Sequence, residues 1–433
     1  MTYHMITYGC QMNVHDSEKI AGVLARKGYV PTENALADVV VFNTCCVRET
    51  AENRALGALS AYKGKKQEHP GMVLCVVGCV PQKGDALERL KKDYPYVDVV
   101  LGTHNQDAFE RALDEVLLDR RKRFVEVVPE ASGMSGGAAA ARGDTCNAWV
   151  NIMYGCNNFC SYCIVPYVRG RERSRPPAEI LDEVRSCLDA GYKEITLLGQ
   201  NVNSYAPDFA ALLRAIAALP GAFRLKFMTS HPKDLSDGVI AAIRDCDKIS
   251  RFIHLPAQSG STRILHAMNR RYTRGDYLRL VEKIRAALPD AGLSSDFIVG
   301  FPGETDADFE DTLSLVDAVR FNNAFSFMYS RRSGTVAAGL PEQVPYALKK
   351  ERVQRLIAKV RQTSAALAAE CTGKTYRALI ERDHNDFKGG KPIATTDCGK
   401  TVFLETDAPP PFGDFVRIRV TRNRGGRLFG ELV

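Results

Sequence analysis

The stretch Ala148-Trp149-Val150-Asn151-Ile152-Met153-Tyr154-Gly155-Cys156-Asn157-Asn158-Phe159-Cys160-Ser161-Tyr162-Cys163 runs an apolar, strand-like segment into a loop bearing three cysteines spaced C-x3-C-x2-C. A cubane iron-sulfur cluster held wholly by protein takes four thiolates, so three close thiolates leave one iron with a position open to a small molecule. A zinc knuckle is the competing reading. Zinc, however, takes four tetrahedral ligands with a second pair downstream, and the next cysteine, Cys187, sits in a helical pattern with no matching histidine.

The same strand-and-loop unit recurs downstream. Strand-like runs at Ala148 to Tyr154, Glu194 to Leu198, Arg224 to Met228, Arg251 to Leu255, Ser294 to Val299 and Ala324 to Tyr329 alternate with helical stretches. One such helix has Pro177 near its start, Ile180, Val184 and Leu188 on one face, and Gly191 at its end. A polar loop follows each strand, including Gly199-Gln200-Asn201, Thr229-Ser230-His231, Pro256-Ala257-Gln258 and Gly300-Phe301-Pro302. Parallel strands whose carboxyl-end loops build one site form a barrel. Six units predict an open, partial (β/α)6 barrel with a wide mouth.

Upstream, Met5 to Tyr8, Val39 to Phe42, Met72 to Val77 and Val97 to Leu101 alternate with amphipathic stretches, which predicts a doubly wound parallel α/β domain over residues 1–128. Cys10 follows the first of these strands, Cys45 and Cys46 the second, and Cys79 the third. Open α/β sheets gather ligands at the carboxyl ends of their strands, so a second three-cysteine site is expected there. The choice between Cys45 and Cys46 stays open at this level, and Cys75, between Leu74 and Val76, reads as strand core.

Residues 129–145 are rich in glycine, alanine and serine and read as a linker, leaving 146–370 for the barrel domain. That domain closes on a long helix from Val344 to Glu370. Between Lys349 and Arg361 this helix carries six basic residues against one acidic residue, a pattern usual for a solvated face and less often for RNA. From Cys371 to Val433, short strands separated by turns, such as Lys388-Gly389-Gly390-Lys391-Pro392 and Arg424-Gly425-Gly426, predict a small all-β barrel. This tail has 11 Lys and Arg against 8 Asp and Glu, concentrated at Arg417, Arg419, Arg422, Arg424 and Arg427, which suits RNA phosphates. Arg417, Arg419 and Arg422 alternate with Val416, Ile418 and Val420, so the three arginines are expected on one strand face.

The 433 residues carry a net charge of +7 and thirteen cysteines, and contain neither an apolar run of membrane-spanning length nor a signal peptide pattern. Thiols in such a chain are read in a reducing cytoplasm, as metal ligands or core. No P-loop, G-x-G-x-x-G or H-E-x-x-H motif occurs.

Taken together, Thr7-Tyr8-Gly9-Cys10-Gln11-Met12-Asn13, Asn43-Thr44-Cys45, Val77-Gly78-Cys79, the cysteine triplet, Arg169-Gly170-Arg171-Glu172-Arg173-Ser174-Arg175, Leu198-Gly199-Gln200-Asn201-Val202, His254 to Ser261 and Ile298 to Thr305 resemble the methylthiotransferases of the radical S-adenosylmethionine (SAM) superfamily along nearly the whole chain. The resemblance implies an amino-terminal domain holding an auxiliary 4Fe-4S cluster on Cys10, Cys45 and Cys79, and so selects Cys45 over Cys46. It also implies a radical SAM 4Fe-4S cluster on Cys156, Cys160 and Cys163, and a carboxyl-terminal TRAM barrel. Gly9-Cys10-Gln11-Met12-Asn13 is similar to the branch acting on tRNA with isopentenyladenosine next to the anticodon. Two SAM molecules would be used, one methylating a cluster sulfur and one yielding the 5′-deoxyadenosyl radical. Tyr162, Glu172, Gly199, Gln200, Asn201, Ser230, Gln258 and Asp296 are the expected SAM or substrate contacts. Partners would be that tRNA, a flavodoxin- or ferredoxin-type electron donor and sulfur or cluster delivery proteins, with no membrane and a monomeric enzyme. Branches acting on threonylcarbamoyladenosine or a ribosomal-protein aspartate are the enzymatic alternatives, and an RNA-binding protein with structural zinc the non-enzymatic one. One loop departs from the family: Tyr329-Ser330-Arg331-Arg332-Ser333-Gly334-Thr335 stands where a proline-rich Tyr-Ser-x-Arg-x-Gly-Thr is usual.

Overall fold

The computed structural model describes residues 1–46, 49–130, 140–143, 146–382, 392–406, 408 and 410–433. Its amino-terminal sheet has six parallel strands, ordered Val30–Pro31, Thr2–Thr7, Val39–Thr44, Val73–Gly78, Val99–Leu101 and Phe124–Glu126. The two central strands are buried along their whole length, because helices cover both faces. Helices Gln11–Arg26 and Phe109–Leu118 pack one face through Ile20, Leu24, Leu113 and Val116. Helices Glu49–Ser60, Tyr62–Glu68 and Gly84–Asp93 pack the other through Leu56, Tyr62 and Leu90. The strand order reverses between Thr2–Thr7 and Val39–Thr44, and a doubly wound sheet opens a crevice at that reversal. Cys10 and Cys45 are the residues that leave these two strands on the crevice side. The outer strands Val30–Pro31 and Phe124–Glu126 escaped sequence reading because two or three residues carry no periodicity.

The central domain has the six expected parallel strands, at Asn147–Asn151, Glu194–Leu198, Arg224–Phe227, Phe252–His254, Gly292–Val299 and Asn323–Met328. They form two three-stranded sheets joined where Leu225 bridges Ile249 in parallel, and the first and last strands remain apart, giving an open barrel. Even-spaced apolar residues (Ala148, Val150, Ile195, Leu197, Leu225, Ile253, Leu293, Phe297, Ala324) pack outward against the helices. The alternate residues, among them Trp149, Thr196, Lys226, His254, Asp296 and Phe325, therefore face the lumen. The first expected strand breaks after Asn151, and Met153–Tyr154 pairs instead with Arg173–Ser174.

The helix Tyr346–Ala369 packs along the last strand, and its basic run is partly a solvated face, with Lys350, Arg355 and Arg361 exposed, and partly an ion-paired seam. Arg352, 2% exposed, pairs with Glu304 at 2.8 Å and Asp306 at 2.7 Å, Lys359 with Asp317 at 2.8 Å, and Arg355 with Glu310. The run complements the acidic start and outer face of helix Asp306–Val319. Within the expected linker, Ala141 donates to the Glu18 carbonyl and Arg142 to Glu183, so residues 140–143 are tied to both domains. Residues 131–139 and 144–145 of that segment lie outside the described residues.

Thr375–Arg382, Pro392–Thr396, Thr401–Leu404, Phe415–Arg424 and Arg427–Leu432 close into a five-stranded barrel around Ala378, Ile380, Ala394, Val402, Ile418 and Val420. The turn expected at Lys388 to Lys391 lies outside the described residues, whereas Arg424-Gly425-Gly426-Arg427 forms the expected hairpin. Strict alternation would have put Arg422 on the core face with Ile418 and Val420. A register shift between Val420 and Arg422 turns it outward, opposite Phe429 as Arg419 is opposite Glu431. This barrel docks on the amino ends of the central strands. Arg224, first residue of its strand and 1% exposed, bonds Glu194 at 2.6 Å, Glu381 at 3.0 Å and the Thr395 carbonyl at 2.6 Å, while Arg251 donates its backbone N–H to the Asp397 carbonyl. The cysteine triplet follows the opposite, carboxyl end of the sheet, of which the longest strand, the eight-residue Gly292–Val299, spans about 25 Å.

Candidate active site

The triplet loop is shaped by its backbone. Gly155 has φ +78°, and a Cβ there would collide with the Arg171 carbonyl, so the chain passes where only glycine fits. Its N–H donates to Gln200 Oε1, Cys156 N–H donates to the Gly170 carbonyl at 3.1 Å, and Asn157 N–H donates to Glu172 Oε1 at 3.1 Å. Gln200 and Glu172 thus hold the loop itself. Asn269 donates to the Phe159 carbonyl at 2.9 Å, and the buried Arg270 approaches Cys160 Sγ at 3.7 Å while bonding the Pro256 carbonyl at 2.7 Å.

Burial pushes the Cys156 thiol up to about 11, with the neighbouring Cys160 adding to it, and pushes Cys163 up to about 12, with Cys160 and Cys156 adding to it. Burial thus disfavours the Cys156 and Cys163 thiolates in the metal-free loop, whereas a coordinating metal deprotonates a thiol outright. Among the described residues no three His, Cys, Asp or Glu side chains converge on a single ion. Three cysteines with no histidine or fourth thiol beside them in the sequence suit a cubane cluster, held at three of its iron corners, better than a four-coordinate zinc.

Of the other expected contacts, Asn201 donates to Asp234 at 2.7 Å but leaves its Oδ1 buried without a partner, and the Ser230 hydroxyl is buried and unpartnered. Buried polar atoms are normally satisfied, so these two at adjacent strand ends fit the polar groups of a bound nucleoside. Gly199 lies against Met153, and Tyr162 is half-buried beside the Phe301–Tyr329 cluster. Gln258, with φ +68°, bridges to Phe297, and its N–H donates to the Asp296 carbonyl at 2.8 Å. The Asp296 carboxylate stands 3.5 Å from His254 Nε2, and the His254 ring meets Phe325, 52% exposed in the lumen.

The second cysteine set assembles at the crevice. Gly9, with φ +124°, turns the chain at the end of the first strand, and the Cys45 side chain occupies the space a Cβ there would need. Cys46 and Cys79 both belong to the buried cluster with Leu56 and Val80. The Cys46 thiol, with the Arg169 guanidinium beside it, lowers Cys79 to about 6. Cys75 is fully buried within its strand, as the sequence suggested.

Apart from Gln200, sequence reading gave no individual role to the residues that join the two sets. Helix Val165–Arg169 follows the triplet directly and buries Ile164 and Val168 in the amino-terminal core. Arg169 reaches Asp16 at 3.0 Å and Asn13 at 3.1 Å. Gln200 contacts the Met12 thioether, and Arg332 donates to the Cys46 carbonyl at 3.1 Å. In the loop that departs from the family pattern, Arg331 bonds the Ala338 carbonyl at 2.6 Å and Thr335 bonds the Arg332 carbonyl at 2.8 Å, holding by hydrogen bonds a turn that prolines would stiffen.

The radical SAM superfamily pattern matches residues 150–316, that of the uncharacterized protein family UPF0004 matches residues 2–102, and the TRAM domain matches residues 369–433. A tRNA-2-methylthio-N(6)-dimethylallyladenosine synthase of Caldicellulosiruptor saccharolyticus is 50% identical, over 100% of this chain and 92% of that protein. The proteins of that name from Thermoanaerobacter pseudethanolicus and Clostridium novyi are 47% and 45% identical, over 100% of this chain and 92% and 96% of theirs. Among solved structures, the radical S-adenosylmethionine methyltransferase TsrM of Kitasatospora setae, bound to tryptophan and a SAM analogue, superposes with a TM-score of 0.56 at 12% identity, covering 88% of this chain and 78% of that one. The cobalamin-dependent radical enzyme OxsB gives 0.51 at 13%, covering 82% and 56%. At these identities the likeness is one of fold.

Proposed function

Since the chain belongs to the family of tRNA-2-methylthio-N(6)-dimethylallyladenosine synthases, we infer that it is a radical SAM methylthiotransferase that adds a methylthio group to C2 of N6-isopentenyladenosine next to the tRNA anticodon, consuming two SAM. The observation that carries this reading is identity of 45–50% along the entire chain, joined to a core in which Cys79 packs with Ile164 and Val168, the residues that follow the cysteine triplet. The cofactors are SAM and a 4Fe-4S cluster, and the substrate is tRNA.

Cys156, Cys160 and Cys163 hold the radical SAM cluster, and Cys10, Cys45 and Cys79 a second 4Fe-4S cluster that carries the sulfur. When bound, these groups and SAM supply one-electron cleavage of the sulfonium and the transferred sulfur. The protein's own contribution is placement. Gln200 and Glu172 fix the triplet loop, and Ser230 Oγ and Asn201 Oδ1 offer buried polar atoms to SAM. The His254–Asp296 pair beside the exposed Phe325 ring offers the incoming base hydrogen bonds on one side and stacking on the other. Tyr162, Gly199 and Gln258 shape the walls of the same mouth. An inert C–H bond has no acid or base handle, which suits a site whose side chains orient rather than titrate.

Residues 1–128, 146–370 and 371–433 act as the sulfur-carrying, radical and tRNA-holding domains. No helix among the described residues is long and apolar enough to cross a membrane. The enzyme works in the cytoplasm as a monomer, reduced by a flavodoxin- or ferredoxin-type donor and resupplied by sulfur or cluster delivery proteins. Mass spectrometry of tRNA nucleosides from a deletion strain tests the reading: the 2-methylthio nucleoside should vanish and isopentenyladenosine accumulate. Unchanged 2-methylthio content would reject it.

A further inference from the structure

Arg169 is 6% exposed, belongs by sequence to the central barrel, and points into the amino-terminal domain. Its Nη1 lies 3.0 Å from Asp16 Oδ2 and its Nη2 3.1 Å from Asn13 Oδ1, two residues on the first turns of the helix that begins after Cys10. The Asn13 Oδ1 that meets Nη2 also lies 3.6 Å from the Cys10 Sγ, so the guanidinium stands one side chain from that thiol, and its charge helps hold the Cys79 thiol below its ordinary value. The buried Asp16 carboxylate needs a cation beside it, because unpaired charge is far costlier in low dielectric than in water. A planar guanidinium, always protonated and forked, can serve a carboxylate, an amide and a sulfur at once.

We propose that Arg169 is the positioning residue that sets the charge of the amino-terminal cysteine site, so that this site is completed only when the central domain docks. The proposal rests on the reading that Cys10, Cys45 and Cys79 hold the second cluster. It has a mechanical corollary. Arg169 ends the short helix that starts two residues after Cys163, so the loop carrying one cysteine set carries the counter-charge of the other. Asp16 and Asn13 hold the guanidinium at the sulfurs rather than along the helix axis, and Ile164 and Val168 keep water from the path between the two sites.

The test uses the full-length, anaerobically reconstituted protein with Cys156, Cys160 and Cys163 all changed to Ala, so that one cluster remains. Its midpoint potential is read by electron paramagnetic resonance during titration with dithionite. Into this reference are placed Arg169→Met, Arg169→Lys or Asp16→Asn. Loss of the adjacent cation disfavours the more negative reduced cluster. Arg169→Met should therefore lower the reduced-to-oxidised ratio at fixed poise by at least tenfold, which for a one-electron couple is about 59 mV. Arg169→Lys should recover most of the shift, and Asp16→Asn should move the midpoint the opposite way. Iron lost from the Met variant but kept by the Lys variant would also support the proposal. It is overturned if Arg169→Met keeps its iron and its midpoint, or if both Arg169 variants lose iron while Asp16→Asn leaves the midpoint in place. A reference protein that binds no iron overturns the ligand reading, and this proposal with it.

Discussion

Cys46 and Cys79 lie in one buried cluster with Leu56 and Val80, while Cys45 packs over Gly9 at the start of the Cys10 turn. Adjacent residues project differently, so only one of Cys45 and Cys46 serves the same iron. With Cys45 as ligand, Cys46→Ala keeps all its iron and Cys45→Ala loses half, measured by iron and sulfide analysis of the reconstituted protein. The reverse pattern would transfer the ligand role to Cys46.

Because the two cysteine sets leave different sheets, their clusters should be separable. Changing Cys156, Cys160 and Cys163 to Ala halves the iron and abolishes SAM cleavage. Changing Cys10, Cys45 and Cys79 to Ala halves the iron yet leaves cleavage to 5′-deoxyadenosine, followed by chromatography. A folded second variant that cannot cleave SAM would break this division.

Arg224 neutralises Glu194 and Glu381 at the joint between the central strands and the small barrel, with both carboxylates largely removed from water. Arg224→Met leaves buried carboxylates short of a partner, Lys226 alone remaining beside Glu194. A loss of about 3–5 kcal/mol is expected, read in urea unfolding, together with faster proteolytic release of the carboxyl-terminal barrel.

Burial raises Glu18 to about 7, with Arg142 opposing and Glu183 adding to the shift; its carboxylate lies 3.2 Å from the buried His15. A raised folded value means that stability falls as pH climbs from the unfolded value near 4.5 to about 7 and is level above. Glu18→Gln removes that penalty. It should gain on the order of 1–3 kcal/mol at pH 8 and little at pH 4.5, by thermal unfolding at the two pH values. His15, whose burial depresses its value, works the other way: its contribution is lost as pH falls below about 6.5. Equal effects of Glu18→Gln at both pH values would contradict the assignment.

In the small barrel Arg419 pairs with Glu431 and Arg422 with Glu405, and Arg422 also lies over the Phe429 ring. Changing Arg417, Arg419 and Arg422 to Gln should weaken tRNA binding and flatten its salt dependence by roughly 0.7 to 0.9 in log-log slope for each phosphate no longer neutralised. Glu405→Gln with Glu431→Gln should do the opposite, releasing two guanidinium groups for phosphate. Filter binding over a salt series reads both, and unchanged affinity in the folded arginine variant would return the barrel to a structural cap.

Much of this enzyme is local. Valine runs write parallel strands buried on both sides, period-two alternation writes a small barrel, and three cysteines within eight residues write a cluster loop, because each depends only on neighbours along the chain. Other features depend on residues far apart in sequence. The bulge that turns Arg422 outward is set by pairing with Arg427–Leu432, and Arg352, Arg355 and Lys359 of helix Tyr346–Ala369 are paired by an acidic helix some forty residues away. The docking of the small barrel at the strands' amino ends, and the passage of Arg169 to Asp16 across 153 positions, arise from burying apolar surface and pairing the charges trapped beneath it. Those terms exist only once the domains have packed, which is why no local pattern announces them.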